Sequence, residues 1–221
     1  MTYSVQQRSR GVLTDGSSSA GYTNRDGLLE INSIQGLYDY ALRAGRVFVA
    51  GPDAVGILAT LEANAAFDLT EPFFRATVPA ATVMIPIMVQ VTYDTAPAAL
   101  DAIKIGWGEG STYNTGGDVC RVLPMGHLVA AAPVASTLTN VRDGDAVLTE
   151  DTLVNPRIFF DKMITATGSD ANIEYNALKG DPYVVIPGPA SFLVWGKAAG
   201  AEEVYYNVVW IELDKSSVVN S

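Results

Sequence analysis

His127 is the only histidine in the chain and Cys120 the only cysteine. These are the side chains that most readily move protons or act as nucleophiles near neutral pH. They stand seven residues apart with no second pair of ligands, and a zinc site needs three or four. His127 closes the turn-like stretch Pro124-Met125-Gly126-His127, and neither a Gly-x-Ser-x-Gly elbow nor a paired Cys-His motif accompanies it. It reads as a surface or core-edge residue. The richest acidic cluster, Asp143-Gly144-Asp145 with Glu150-Asp151, lacks the alternating oxygen ligands of an EF-hand loop and reads as a solvated loop. Tyr93-Asp94-Thr95-Ala96 has the look of an aspartic-protease signature, but that chemistry needs two carboxylates sharing a proton. There is no second copy, and Pro97 follows at once, so a turn after a strand is expected. Gly106-Trp107-Gly108-Glu109-Gly110 and Gly116-Gly117 precede neither a helix nor a Lys-Ser/Thr pair, and read as loops at strand ends. No catalytic residue, metal ligand or cofactor is assigned. An enzyme is the weakest of the possible classes, and loss of an activity in His127→Ala would be needed to revive it.

With the chemistry this sparse, composition carries more of the functional argument. Charged residues make up 17% of the 221, against about 25% in an average soluble domain. Charge is depleted at the centres of interfaces, so a weakly charged surface suits a protein that buries itself against copies or partners. The net charge of −10 argues against strong direct nucleic-acid binding, whose footprint is basic. Arg8, Arg10 and Arg25 are the only cations in the first thirty residues, too few for an arm that neutralises a genome. The single cysteine excludes an internal disulfide framework, and no Asn-x-Ser/Thr sequon occurs. No signal-peptide h-region is visible, and the longest apolar run, Val83–Val91, is broken by Pro86 and Gln90 and too short to span a bilayer. A soluble protein made in a reducing compartment is expected.

The elements that would hold any surface in place are mostly strands. Residues 1–31 are small and polar around Gly16-Ser17-Ser18-Ser19 and form an expected extended arm. An amphipathic helix is expected over 32–45. Asn32 caps it, Ile34, Leu37, Tyr38, Ala41 and Leu42 share a face, and Gly45 stops it. This helix should close one end of a β core. Its polar face carries both Asp39 and Arg43, without the cationic excess of a membrane-surface helix. Residues 46–221 form one β domain. Its strands are expected at Arg46–Ala50, Phe73–Val78, Thr82–Tyr93, Asp101–Trp107, Val119–Leu123, Leu128–Val134, Arg157–Thr167, Tyr183–Ile186, Ser191–Trp195 and Val204–Leu213. Pro86 implies an edge or a bulge in the third of these. Pro187-Gly188-Pro189 makes a corner. Trp107, Trp195 and Trp210 should be buried, and Tyr205 and Tyr206 should point to opposite faces. Serial strands with Gly/Pro turns and no βαβ alternation indicate an all-β antiparallel sandwich.

Glu71-Pro72-Phe73-Phe74 leading into Thr82–Tyr93, then Val185-Ile186-Pro187-Gly188-Pro189 with Ser191–Trp195, and finally Tyr206–Leu213 carry a resemblance. With the arm and the short helix, the chain resembles a viral jelly-roll coat protein, and Val209-Trp210-Ile211-Glu212 is similar to the closing strand of phage-type capsid subunits. The resemblance spans about residues 46–213. It implies a jelly roll of about eight strands that self-assembles into an icosahedral shell, in a tailless-phage-type virion assembled in the host cytoplasm. The partners would be copies of the chain, other capsid proteins and, where the shell encloses one, a membrane. Cupins, trimeric heads and lectins share the layout, so an oligomeric spike or fibre head binding a host receptor or glycan is the alternative. A cupin metal motif would need more than one histidine. On the shell reading, loops Trp107–Asp118 and Thr137–Asp151 make lateral contacts, and assembly residues are expected at Arg8, Arg10, Ile34, Leu37, Trp107 and Tyr113.

Overall fold

A computed structural model of the chain describes residues 21–23, 29–31, 34–52, 58–61, 71–94, 101–109, 113–126, 135–144, 147–148, 154–164, 172–197 and 202–218. In chain order these hold β1 (Gly21–Thr23), β2 (Leu29–Ile31), α1 (Ile34–Arg43), β3 (Val47–Gly51), β4 (Ala59–Thr60), β5 (Phe74–Val78), β6 (Thr82–Tyr93), β7 (Asp101–Glu109), β8 (Tyr113–Thr115) and β9 (Asp118–Val119). They continue with β10 (Arg121–Pro124), β11 (Thr139–Asp143), β12 (Val147–Leu148), β13 (Val154–Ile164), β14 (Asn172–Asn176), a 3-10 turn (Ala177–Lys179), β15 (Ile186–Pro187), β16 (Ala190–Lys197), β17 (Glu203–Asp214) and α2 (Lys215–Val218).

Most of the strands form two large antiparallel sheets, and β1 with β2 and β8 with β12 make separate two-stranded ladders. The first runs β10-β3-β17-β6-β14, with β15 also on β6 and β4 also on β17; the second runs β13-β7-β16-β5-β11-β9. Because side chains alternate across a strand, each sheet turns one apolar row inward. Phe48 and Ala50 of β3, Met84, Val89 and Val91 of β6, and Tyr206, Val208 and Trp210 of β17 meet Phe74, Ala76 and Val78 of β5, Ile103, Ile105 and Trp107 of β7, and Phe192 and Val194 of β16. Fully burying one such side chain is worth about 1.5–3 kcal/mol, so this interior dominates the fold energy. All three tryptophans are buried, and Tyr206 is buried where Tyr205 is exposed. The all-β sandwich expectation holds.

Proline in a central strand removes a ladder donor, yet Pro86 lies within β6, between β17 and β14/β15. The resolution is a bulge. Val209 faces Met88 while Trp210 faces Pro86, leaving Ile87 over. On the other side, β15 ends its pairing at Met84 and β14 begins at Met88, so among the described residues no strand addresses Pro86 there. The bulge also switches faces. Odd residues Val83, Ile85 and Ile87 point out of the sandwich, while Val89, Val91 and Tyr93 point in.

The outward apolar residues explain the helix. Leu37 and Ala41 of α1 are buried against Val47, Val83, Ile85, Ile87, Val209 and Ile211, with Ile34, Tyr38 and Leu42 at the margins. The helix therefore lies on the outer face of the first sheet and does not close an end of the core as expected, because that face is apolar where three neighbouring strands meet it. Its stop is as the sequence implies. Gly45 has φ +68°, its N–H donates to Leu42 O (3.2 Å) and that of Arg46 to Ala41 O (2.8 Å), which together make a Schellman cap. The Asn32 cap lies outside the described residues.

Several local expectations need correction. Tyr183–Val185 is not a strand, and only Ile186-Pro187 pairs with β6. Val184 and Val185 still pack against the two apolar clusters, so the run is apolar without needing a ladder. The Val119–Leu123 strand is broken at Cys120 into β9 on one sheet and β10 on the other. The Thr137–Asp151 loop contains β11 and β12, and the Trp107–Asp118 loop contains the end of β7 and all of β8. The expected strand Asp101–Trp107 is present, and β7 runs on through Gly108 and Glu109 of the glycine-rich stretch expected as a loop. A Cβ at Gly106 would sit 2.6 Å from Arg157 O and 3.0 Å from the Trp195 ring, so the strand needs glycine to admit both neighbours. Within the expected arm, β1 and β2 pair as a short antiparallel ladder. The expected strand at Leu128–Val134 lies outside the described residues.

Candidate functional site

Among the described residues, the most elaborate polar chemistry lies between the sheets. Glu212 follows Trp210 on the inward row of β17 and is buried. Its Oε1 accepts from Ser136 Oγ (2.5 Å) and Trp210 Nε1 (2.8 Å), and its Oε2 accepts from Thr137 N and Oγ1 (both 2.7 Å). Four donors on one carboxylate satisfy a group that would otherwise be very costly to bury. Ser136 and Thr137 lead directly into β11, so this contact ties the first sheet to the second.

A second tie holds the other end of β11. The Tyr206 hydroxyl donates to Asp143 Oδ2 at 2.5 Å, and Cys120 Sγ lies 3.3 Å from the same hydroxyl. Burial, reinforced by Asp143, pushes the Cys120 thiol well above its usual range, and burial likewise raises the Tyr206 phenol. A thiol held protonated is a poor nucleophile and a poor metal ligand. Asp143 is itself buried, which corrects the solvated-loop reading at that residue, while Asp145, Glu150 and Asp151 lie outside the described residues. The arrangement locks two sheets together and offers no reacting pair.

Of the expected assembly residues, Trp107 is 6% exposed, with its ring in the core and the Arg157 guanidinium 4.4 Å from the ring centroid. Leu37 is spent under α1 and Ile34 is half-buried at its margin. Tyr113 begins β8, opposite Leu148. Arg8, Arg10 and His127 lie outside the described residues. Among the described ones, Ile34 and Leu37 share α1 on the outer face of the first sheet while Trp107 faces the interior of the sandwich.

What it does expose is apolar side chains along strand edges. Val119 (60% exposed), Leu123 and Met125 line one side of the sandwich, and Ile158 and Met163 (61% exposed) line β13 on the other. Charged partners punctuate β13, where Arg157 reaches Glu109 at 3.6 Å and Asp161 bonds Lys104. Half of the first sheet's outer face, beyond α1, is polar. There Tyr205, Thr92 and Asn172 form one cross-strand row, and Asn207, Gln90 and Glu174 the next. Thr92 donates to Asn172 at 3.3 Å, and Glu174 is held below the usual carboxylate range by its bond from Lys179 (2.8 Å), then by that from Asn176.

The inter-sheet ties escaped the sequence reading, although a lone glutamate two residues after an inward tryptophan, inside Val208–Leu213, is a usable signal. Among the described residues no group of three or more His, Cys, Asp or Glu side chains is placed to hold a metal ion. Nor, among those residues, is any helix long and apolar enough to cross a membrane. No protein-family model, curated protein or solved structure matches the chain significantly.

Proposed function

We propose that this chain is a jelly-roll subunit that assembles with copies of itself into a closed, icosahedral, virus-type shell. One observation carries the fold half of the reading. With β1, β2, β4, β15 and the strands of the β7–β13 connection set aside, β3, β5, β6, β7, β13, β14, β16 and β17, numbered along the chain, pair first with eighth, second with seventh, third with sixth and fourth with fifth. That nesting is what a single two-stranded ribbon, turned back between β7 and β13 and wrapped into two sheets, would produce, and it supports the jelly-roll reading.

Fold alone does not fix function. The shell reading draws further support from the low charged fraction of 17% and from the apolar residues exposed along both sides of the sandwich. Trp107 and Leu37 drop out of the proposed contacts, and Leu123, Met125, Ile158 and Met163 replace them. The acidic net charge, −10, favours a shell whose genome is packaged without direct neutralisation by this chain. Residues 1–31 would link neighbouring subunits, and closure follows from repeating one patch by symmetry. Deleting residues 1–31 should abolish particles and leave a folded β domain. Normal particles from that truncation would remove the arm from the account.

A second reading, an oligomeric head that binds a neutral glycan, is favoured by the open polar half of the first sheet. Tyr205 there presents an aromatic face beside the neutral side chains of Asn207, Gln90, Thr92 and Asn172, which together offer stacking, donors and acceptors. Saturable glycan binding by small oligomers, lost in Tyr205→Ala, would select it over the shell.

A further inference from the structure

The eight nested strands leave two edges open on one side, β3 in the first sheet and β5 in the second. Both are covered by strands from the single connection between β7 and β13. β10 lies along β3, with Arg121, Val122, Leu123 and Pro124 opposite Gly51, Ala50, Val49 and Phe48, and Met125 N donates onward to Val47 O at 2.8 Å. β11 lies along β5, and β9 lies along β11. Between β9 and β10 the chain crosses from one sheet to the other at buried Cys120, whose N–H donates to Val141 O at 3.1 Å. The two ties described above, Glu212 to Ser136 and Thr137 and Tyr206 to Asp143, anchor both ends of β11.

The new outer edges differ in kind from those they cover. β9 is two residues long and β10 four, ending in Pro124, which has no N–H to offer. Asp118 and Arg121 are exposed on them. β11 carries a register shift between Thr139 and Arg142, with Asn140 at φ +47°. Short strands, charge, proline and irregular register are the devices that stop an edge from templating another strand. We infer that β9, β10 and β11 form an edge guard, which occupies β3 and β5 and denies them to strand pairing by a second copy of the chain. The role is independent of whether the subunit builds a shell. It confines any strand-mediated contact to the opposite side, where β13 and β14 stand.

Two variants of the full chain test this. Tyr206→Phe with Thr137→Val weakens both ties. Amides of Phe74–Val78, which β11 covers, should then exchange about tenfold faster, relative to β6 and β17, which is the effect of losing roughly one hydrogen bond's worth of docking. Irregular, intermolecular-sheet aggregates should appear by infrared spectroscopy. Adding Thr77→Cys and Thr139→Cys in a Cys120→Ala background places two thiols at directly opposed positions of β5 and β11, at a spacing suited to a disulfide. Oxidation should suppress the aggregates and reduction restore them. Uniform acceleration of exchange across both sheets, or equal aggregation of oxidised and reduced forms, would overturn the inference. So would failure of the folded variant to form the bond.

Discussion

Replacing Glu212 by Gln changes one oxygen to an NH2 group and keeps the shape, so it isolates the carboxylate's part in holding β11 to β17. Neither orientation of the amide works. With its nitrogen in place of Oε1 it meets Trp210 Nε1, 2.8 Å away, and in place of Oε2 it meets the Thr137 backbone nitrogen, 2.7 Å away. Both of those groups can only donate. One buried N–H is therefore left unpaired, at about 1–3 kcal/mol, and the surviving bonds lose their charge assistance, for a total of about 2–4 kcal/mol. In a domain of this size each kcal/mol moves Tm by about 2–4 °C, so a fall of roughly 4–16 °C is expected. Urea unfolding should show the same loss as a lower midpoint with an unchanged slope. Thr137→Val should cost about 1 kcal/mol alone and couple to Glu212→Gln by more than ~0.5 kcal/mol. A Gln variant within ~0.5 kcal/mol of the parent, uncoupled to Thr137, would refute the tie.

Gly106→Ala should destabilise by about 1–3 kcal/mol through overpacking, since its new methyl meets a strand backbone that cannot yield; an unchanged unfolding midpoint would contradict that. Cys120 should react with thiol reagents only as fast as the protein unfolds, and prompt labelling at neutral pH would show that it is not enclosed. Because the folded Cys120 thiol and Tyr206 phenol titrate above their unfolded values, the stability they contribute is complete below the unfolded values, about 8.5 and 10, and declines as pH rises past them. Cys120→Ala should soften that alkaline decline, as followed by urea midpoints between neutral and alkaline pH. Glu174 works in the opposite sense. Its lowered folded value stabilises above the ordinary carboxylate range and the gain disappears on acidification, so Lys179→Met should differ from the parent at neutral pH, by under ~1 kcal/mol for so exposed a pair, and converge with it in acid.

The sequence is most legible where pattern and packing agree. The helix face, its glycine stop and the long strands β6 and β17 are all visible in the spacing of apolar residues. Among the strands of five or more residues, those that escaped it are β11 and β14, whose segments Thr139–Asp143 and Asn172–Asn176 are rich in Asn and Asp. Both are held by tertiary contacts that override propensity, β11 by its two ties and β14 by Tyr175, whose hydroxyl donates to Pro182 O at 2.8 Å. The opposite error occurs at Tyr183–Val185, where apolar side chains fill gaps without a ladder. Composition pointed to an interface-rich surface but could not locate it. Trp107 looks like a contact residue until strand pairing turns it inward, and the exposed methionines at 125 and 163 carry no signal that distinguishes them from core residues.

The central claim, that this β-sandwich subunit assembles into a shell, is tested most directly by the native mass of the purified, untagged protein together with negative-stain images of the same sample. The account predicts closed particles of uniform size, lost when residues 1–31 are removed. A clean monomer at every concentration, with no particles in the images, would contradict it.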